Sequence, residues 1–123
     1  MAAPNLISPT AIYGETSQLK LTSTTETDFI TNAASSGKSL RVASLYAVNV
    51  DGVNAVDCTI KLYDAATGGN AVELTYNVTV PANATVTIIT ADAFVYLMED
   101  RRISVQASAA NALSVVASYE VVS

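Results

Sequence analysis

Histidine and tryptophan are absent from the 123 residues, cysteine occurs once, and six basic side chains face eleven acidic ones. Without histidine, imidazole-based acid–base triads and histidine-containing zinc sites are excluded. The lone Cys58 cannot close a disulfide within the chain, so cysteine usage gives no argument for an oxidising compartment. Charged residues make up 14% of the chain, well below the roughly 25% of typical soluble domains. A surface with so few charges has little to keep it from associating, and much of it is expected to meet protein.

The cations Lys20, Lys38, Arg41, Lys61, Arg101 and Arg102 are scattered apart from the last two. No basic stripe exists that could displace counterions from phosphates, so no nucleic-acid partner is expected. The longest uninterrupted apolar run, Ala93 to Met98, is six residues, against the ~20 that a helical membrane span requires. No membrane partner is expected either. The N-terminus lacks a basic region and is broken by Pro4 and Pro9, unlike a secretory signal.

What is present is small and β-prone. Ala, Val, Thr and Ser account for 61 of the 123 residues. Period-two alternation dominates, and helical spacing is hard to find. From Val72 to Val80, Val72, Leu74, Tyr76, Val78 and Val80 share one face, with Glu73, Thr75, Asn77 and Thr79 on the other. Leu113, Val115, Ala117, Tyr119 and Val121 repeat the pattern, as do Ile103, Val105 and Ala107. By this alternation Tyr76 and Tyr119 are core, and Tyr13 and Tyr63 are the tyrosines expected to be exposed. Leu40 to Val50 is apolar on both faces, as a central strand would be.

Further strands are expected at 18–22, 28–31, 57–63, 85–90 and 94–97. Asp51-Gly52 and Gly68-Gly69 are expected to supply positive backbone φ, while Pro81-Ala-Asn83 and Ala109-Ala-Asn111 break or turn the chain. These features predict an all-β fold, an antiparallel β-sandwich of about eight strands. Residues 17–123 form its single domain, and residues 1–16 an extended N-terminal arm. Pro4, Pro9 and Gly14 argue against a regular ladder in the arm. Leu6, Ile7, Ile12 and Tyr13 are too apolar for a solvated tail, so Pro4, Leu6, Ile7, Pro9, Ile12 and Tyr13 are the expected interface residues.

Candidate chemistry is sparse. Gly37-Lys38-Ser39 resembles the end of a phosphate-binding loop, but Asn occupies position 32, where the motif needs glycine, and a strand follows instead of a helix. The carboxylates Asp51, Asp64, Asp92, Glu99 and Asp100 sit where turns are expected, as backbone-binding Asp usually does. Asn49, Asp51, Asn54 and Asp57 could offer oxygens to calcium but lack the spacing of an EF-hand; the plainer reading is an Asp-Gly hairpin. Glu99-Asp-Arg-Arg102 reads as a solvated charged turn. Cys58 reads as a small buried hydrophobe. Asn77-Val-Thr79 and Asn83-Ala-Thr85 match the glycosylation pattern, which matters only after secretion. No catalytic residue, cofactor or metal is expected.

The C-terminal portion, roughly Leu40 to Ser123, carries a recognisable pattern. Val80-Pro-Ala-Asn-Ala-Thr-Val-Thr-Ile-Ile-Thr90, Val95-Tyr-Leu97, Glu99-Asp100, Arg102-Ile-Ser-Val-Gln-Ala-Ser108 and Ala110-Asn-Ala-Leu-Ser-Val-Val-Ala-Ser-Tyr-Glu120 resemble small β-sandwich virion proteins of tailed bacteriophages, cyanophages among them. In that group the turn before the penultimate strand tends to carry an acidic pair and a Gly or Asp, whereas here it reads Glu99-Asp-Arg-Arg. The resemblance implies a capsid decoration (cement) protein on the outer capsid surface. Its partners would be the major capsid protein and further copies of itself, with a trimer expected. A neck, tail or fibre component is the alternative within the virion. A carbohydrate- or receptor-binding module, stacking sugar on Tyr13 and Tyr63, is the alternative of another class. No catalytic residue belongs to the pattern.

Overall fold

The structure, a computed structural model, describes Pro4 and residues 6–123. It is an all-β antiparallel sandwich with nine strands among those residues. They are β1 (Ile12–Lys20), β2 (Thr27–Asn32), β3 (Ser39–Asn49), β4 (Val56–Tyr63), β5 (Ala71–Val80), β6 (Thr85–Ile89), β7 (Val95–Leu97), β8 (Arg101–Ala107) and β9 (Leu113–Val122). One sheet runs β1-β9-β3-β6, with β7 pairing the other end of the same β3 edge; the second runs β2-β8-β4-β5.

The core lies between the sheets and is built of branched aliphatics, including Leu45, Ile60, Ile89, Leu97, Ile103 and Leu113. Strand β9 shows how the sequence produces this. Its inward residues Leu113, Val115, Ala117, Tyr119 and Val121 are all buried, while Ser114, Val116, Ser118 and Glu120 between them are partly exposed. Alternation fixes register here because a slip of one residue would turn the apolar set outward.

Strand β3 is central, between β9 and the β6/β7 edge. It reads as apolar on both faces because a bulge at Ala43 changes its phase: Val42 pairs Tyr119 and Ser44 pairs Ser118. Leu40 and Val42 point inward before the bulge, and Leu45 and Ala47 after it. One extra residue thus superimposes two alternations on one strand.

A second irregularity lies in β5. Cys58 pairs Val78 and Ile60 pairs Thr75, so Thr59 faces both Tyr76 and Asn77. Asn77 adopts φ 46°, and Tyr76, expected in the core, is 68% exposed. Glycines 68 and 69 have positive φ as expected, whereas Gly52 does not. At Asp51-Gly52 the turn is instead held by the Asp51 carboxylate, whose Oδ1 accepts from the backbone N–H groups of Val53 (2.8 Å) and Asn54 (3.1 Å).

Candidate interaction surfaces

The N-terminal segment is shorter as an arm than the sequence suggested. Strand β1 starts at Ile12 and pairs β9 without a break, from Ile12–Val122 to Lys20–Ser114. Gly14 sits opposite Glu120, and a Cβ there would meet nothing within 4 Å, so glycine does not interrupt the ladder. Residues 12–16 therefore belong to the sandwich. Just before them, the N–H groups of Thr10 (2.6 Å) and Ala11 (3.1 Å) both donate to the Ser123 carbonyl.

Of the expected interface residues, Ile12 and Tyr13 are thus strand residues, 54% and 46% exposed. Pro4, Leu6, Ile7 and Pro9 precede the anchored point. Both prolines are half-buried, Leu6 is 49% exposed and Ile7 is 94% exposed.

A second surface lies on the outer face of the five-stranded sheet. Register places Arg41 of β3 between Glu120 of β9 and Tyr96 of β7. Arg41 Nη1 donates to Glu120 Oε1 at 3.0 Å, and its guanidinium carbon lies 4.3 Å from the centroid of the Phe94 ring. The Phe94 and Tyr96 rings meet edge to face at 5.3 Å. Phe94, Tyr96 and Met98 all retain exposed surface, following the period of two along and around β7. Aromatic residues, Met and Arg are the side chains that protein interfaces concentrate. The signal was available as Phe94, Tyr96 and Met98 within the longest apolar run.

The four-stranded sheet is different in character. Its outer face is held by a polar network around Glu26, whose Oε2 accepts from Tyr63 Oη at 2.6 Å and also from Ser104 Oγ. Lys61 Nζ lies 3.8 Å from Glu26 Oε1. Burial alone would raise the Glu26 pKa. The hydrogen bonds from Ser104 and Tyr63, with the charges of Lys61 and Arg102, outweigh it and hold the carboxyl below its ordinary value. The hydrogen bond to Glu26 is also the main cause that pushes the Tyr63 hydroxyl pKa up.

The Glu99–Arg102 turn is a clasp and not a solvated turn. Arg102 is buried, donating to Asp28 Oδ1 (3.0 Å) and to the carbonyls of Ala65 (2.7 Å) and Gly68 (2.8 Å). Asp100 Oδ1 accepts from the Ala66 N–H, and Arg101 Nη1 donates to the Asp64 carbonyl, both at 2.9 Å. The turn thereby fixes the loop between β4 and β5. Tyr63, half-buried beneath Arg102, is no open sugar platform.

The oxygens proposed for calcium serve the fold. Buried Asn49 donates from Nδ2 to the carbonyls of Asn54 and Val80, both at 3.0 Å, and Oδ1 accepts from the Asp51 N–H. Asp57 Oδ1 accepts from Thr79 Oγ1 at 2.9 Å. Among the described residues no three acidic or thiol groups converge on a metal-sized site, and no helix is long and apolar enough to cross a membrane. Cys58 is fully buried in β4, and burial pushes its thiol pKa up to about 11.

No protein-family profile matches the chain, and no curated protein sequence matches it. Solved structures do. A chain of the Bacillus endospore appendages, a family of disulfide-linked pili, aligns with TM-score 0.54 and 14% identity over 91% of this chain and 88% of that one. A chain from the acid-stable capsid of Helicobacter pylori bacteriophage KHP30 aligns with TM-score 0.51 and 8% identity, over 94% and 90%. The β-sandwich is therefore an architecture found at nearly full length in a pilus and in a phage capsid.

Proposed function

We propose that this chain is a structural protein of a bacteriophage virion. In this reading it is a capsid decoration protein bound to the outer surface of the assembled head. The observation that carries the proposal is the exposed Phe94–Tyr96–Met98 cluster on one sheet face, braced by Arg41 and Glu120. An aromatic patch with a pre-positioned arginine loses little side-chain freedom on binding, which is what a binding hot spot needs. The low charge, the apolar residues Leu6 and Ile7 ahead of the anchor at Thr10, and the resemblance over Leu40–Ser123 support the same reading.

The partners would be the major capsid protein, through the aromatic face, and two further copies of the chain in a trimer. Packaged DNA pushes the shell outward, and a protein bound across subunit joints adds contacts that expansion must break. Anything that binds only the assembled shell stabilises it by mass action. The chain would work by contact and not by catalysis.

The pilus likeness suits the same fold in an assembly, but Cys58 makes a disulfide-linked role a poor fit here. Its sulfur lies between the sheets and could reach another subunit only if the sandwich opened. Co-sedimentation of the purified chain with undecorated heads of the parent phage tests the proposal. Saturable binding is expected, weakened about tenfold or more when Phe94 and Tyr96 are both replaced by Ser. No sedimentation with heads would overturn the decoration role, and undiminished binding by the double variant would overturn the assigned face.

A further inference from the structure

Beside the bulge in β5 lies a recess of about 450 Å³ on the outer face of the four-stranded sheet, opposite the aromatic face. Its wall is polar and largely pre-oriented. Thr59 Oγ1 donates to Asn77 Oδ1 (3.1 Å) and accepts from the Asn77 N–H (3.0 Å), which fixes the side-chain amide and leaves Nδ2 without a hydrogen bond among the described residues. Gln106 Nε2 donates to the Thr24 carbonyl at 3.1 Å and Asp57 Oδ1 accepts from Thr79, which leaves Gln106 Oε1 and Asp57 Oδ2 open among the described residues. Tyr76, 68% exposed and outside the core, also lines the recess and brings an aromatic ring to it.

We propose that this recess binds a neutral saccharide. A sugar presents hydroxyls that each donate and accept around its rim, and a face of C–H bonds that packs on an aromatic ring. The recess offers the complement: one fixed donor, two fixed acceptors and one ring. An anionic ligand is disfavoured because Asp57 lies in the wall and the Lys61 charge there is already balanced by Glu26, 3.8 Å away. A wholly apolar ligand would strand these polar atoms without partners. The proposal is independent of the virion reading, since it concerns the opposite face and can be tested on the isolated chain.

The test is titration of the 15N-labelled full chain with cellotetraose, maltotetraose, chitotetraose and mannotetraose, each to about 10 mM, a range that captures the weak affinities of shallow sites. At least one is expected to move the amide signals of Tyr76, Asn77 and Gln106 saturably. Tyr76→Ala, a substitution at an exposed ring, should keep the spectrum of the folded chain and weaken that sugar about tenfold or more. Gln106→Ala should weaken it as well, and the Phe94/Tyr96 double variant should bind as wild type. Shifts from none of the four sugars, or equal binding by Tyr76→Ala and wild type, would overturn the proposal.

Discussion

The Arg102 guanidinium carbon lies 3.7 Å from the centroid of the Tyr63 ring, sandwiching a buried charge between β8 and the end of β4. The same guanidinium closes the loop after β4 by donating to the Ala65 and Gly68 carbonyls, and its Nε donates to Asp28 at the β2 edge. One side chain therefore ties three segments together.

Arg102→Ala should cost about 2–4 kcal/mol, because it strands two carbonyls and removes the ring's cover. Arg102→Lys should recover only part of this, since an ammonium cannot reproduce the planar fork. Urea unfolding measures both. A loss below about 0.5 kcal/mol for the alanine variant, the range of ordinary surface changes, would contradict the clasp.

Stability should fall at both ends of the pH scale, through different residues. Glu26 is held below its ordinary value of 4.5. Its contribution is therefore full above that value and is lost as pH falls through the lowered folded-state pKa. Tyr63 is raised above its ordinary value of 10.0. Its contribution is full below that value and is lost as pH rises through the raised one. Thermal melts should show Glu26→Gln flattening the acid limb and Tyr63→Phe the alkaline limb. An acid limb unchanged in Glu26→Gln would show that other carboxylates govern it.

The Cys58 thiol should resist labelling in the folded chain, being fully buried with its pKa pushed up to about 11. Ellman's reagent at neutral pH should react with less than about one-tenth of the thiol in buffer and with all of it in denaturing urea. Rapid reaction in buffer would place the sulfur within reach of another subunit and reopen the disulfide-linked role.

Deleting residues 2–9 should leave the sandwich folded, because β1 and the Thr10–Ser123 and Ala11–Ser123 bonds remain. The melting temperature should move little while occupancy on heads falls. Undiminished occupancy would show that the arm is not an anchor. Cutting as far as residue 16 would instead remove more than half of β1 and confound folding with binding.

Much of the fold was legible where one residue type repeats at one period. β9 carries its alternation unbroken, and the apolar stretch around Leu45 is a central strand. Legibility failed at inserted residues. Ala43 and the Tyr76-Asn77 pair each shift the phase by one, and no local propensity marks an Ala or a Tyr as a bulge. Gly14 has the composition of a breaker, yet the edge strand accommodates it opposite Glu120. Arg102 looked solvated because its partners lie 34 to 74 residues away in sequence. The aromatic face lay within a visible alternation, but its bracing by Arg41 required knowing that β3, β7 and β9 are neighbours. The polar recess has no local sequence signal, since Thr24, Asp57, Tyr76 and Gln106 meet in it from segments far apart in the chain.

The central claim is that this chain covers the outside of a phage head, and its copy number in purified virions tests that most directly. Quantitative densitometry against the major capsid protein should give on the order of hundreds of copies per particle, as binding at every equivalent shell position requires. A count near about twelve, the number ring symmetry gives a neck component, would contradict it.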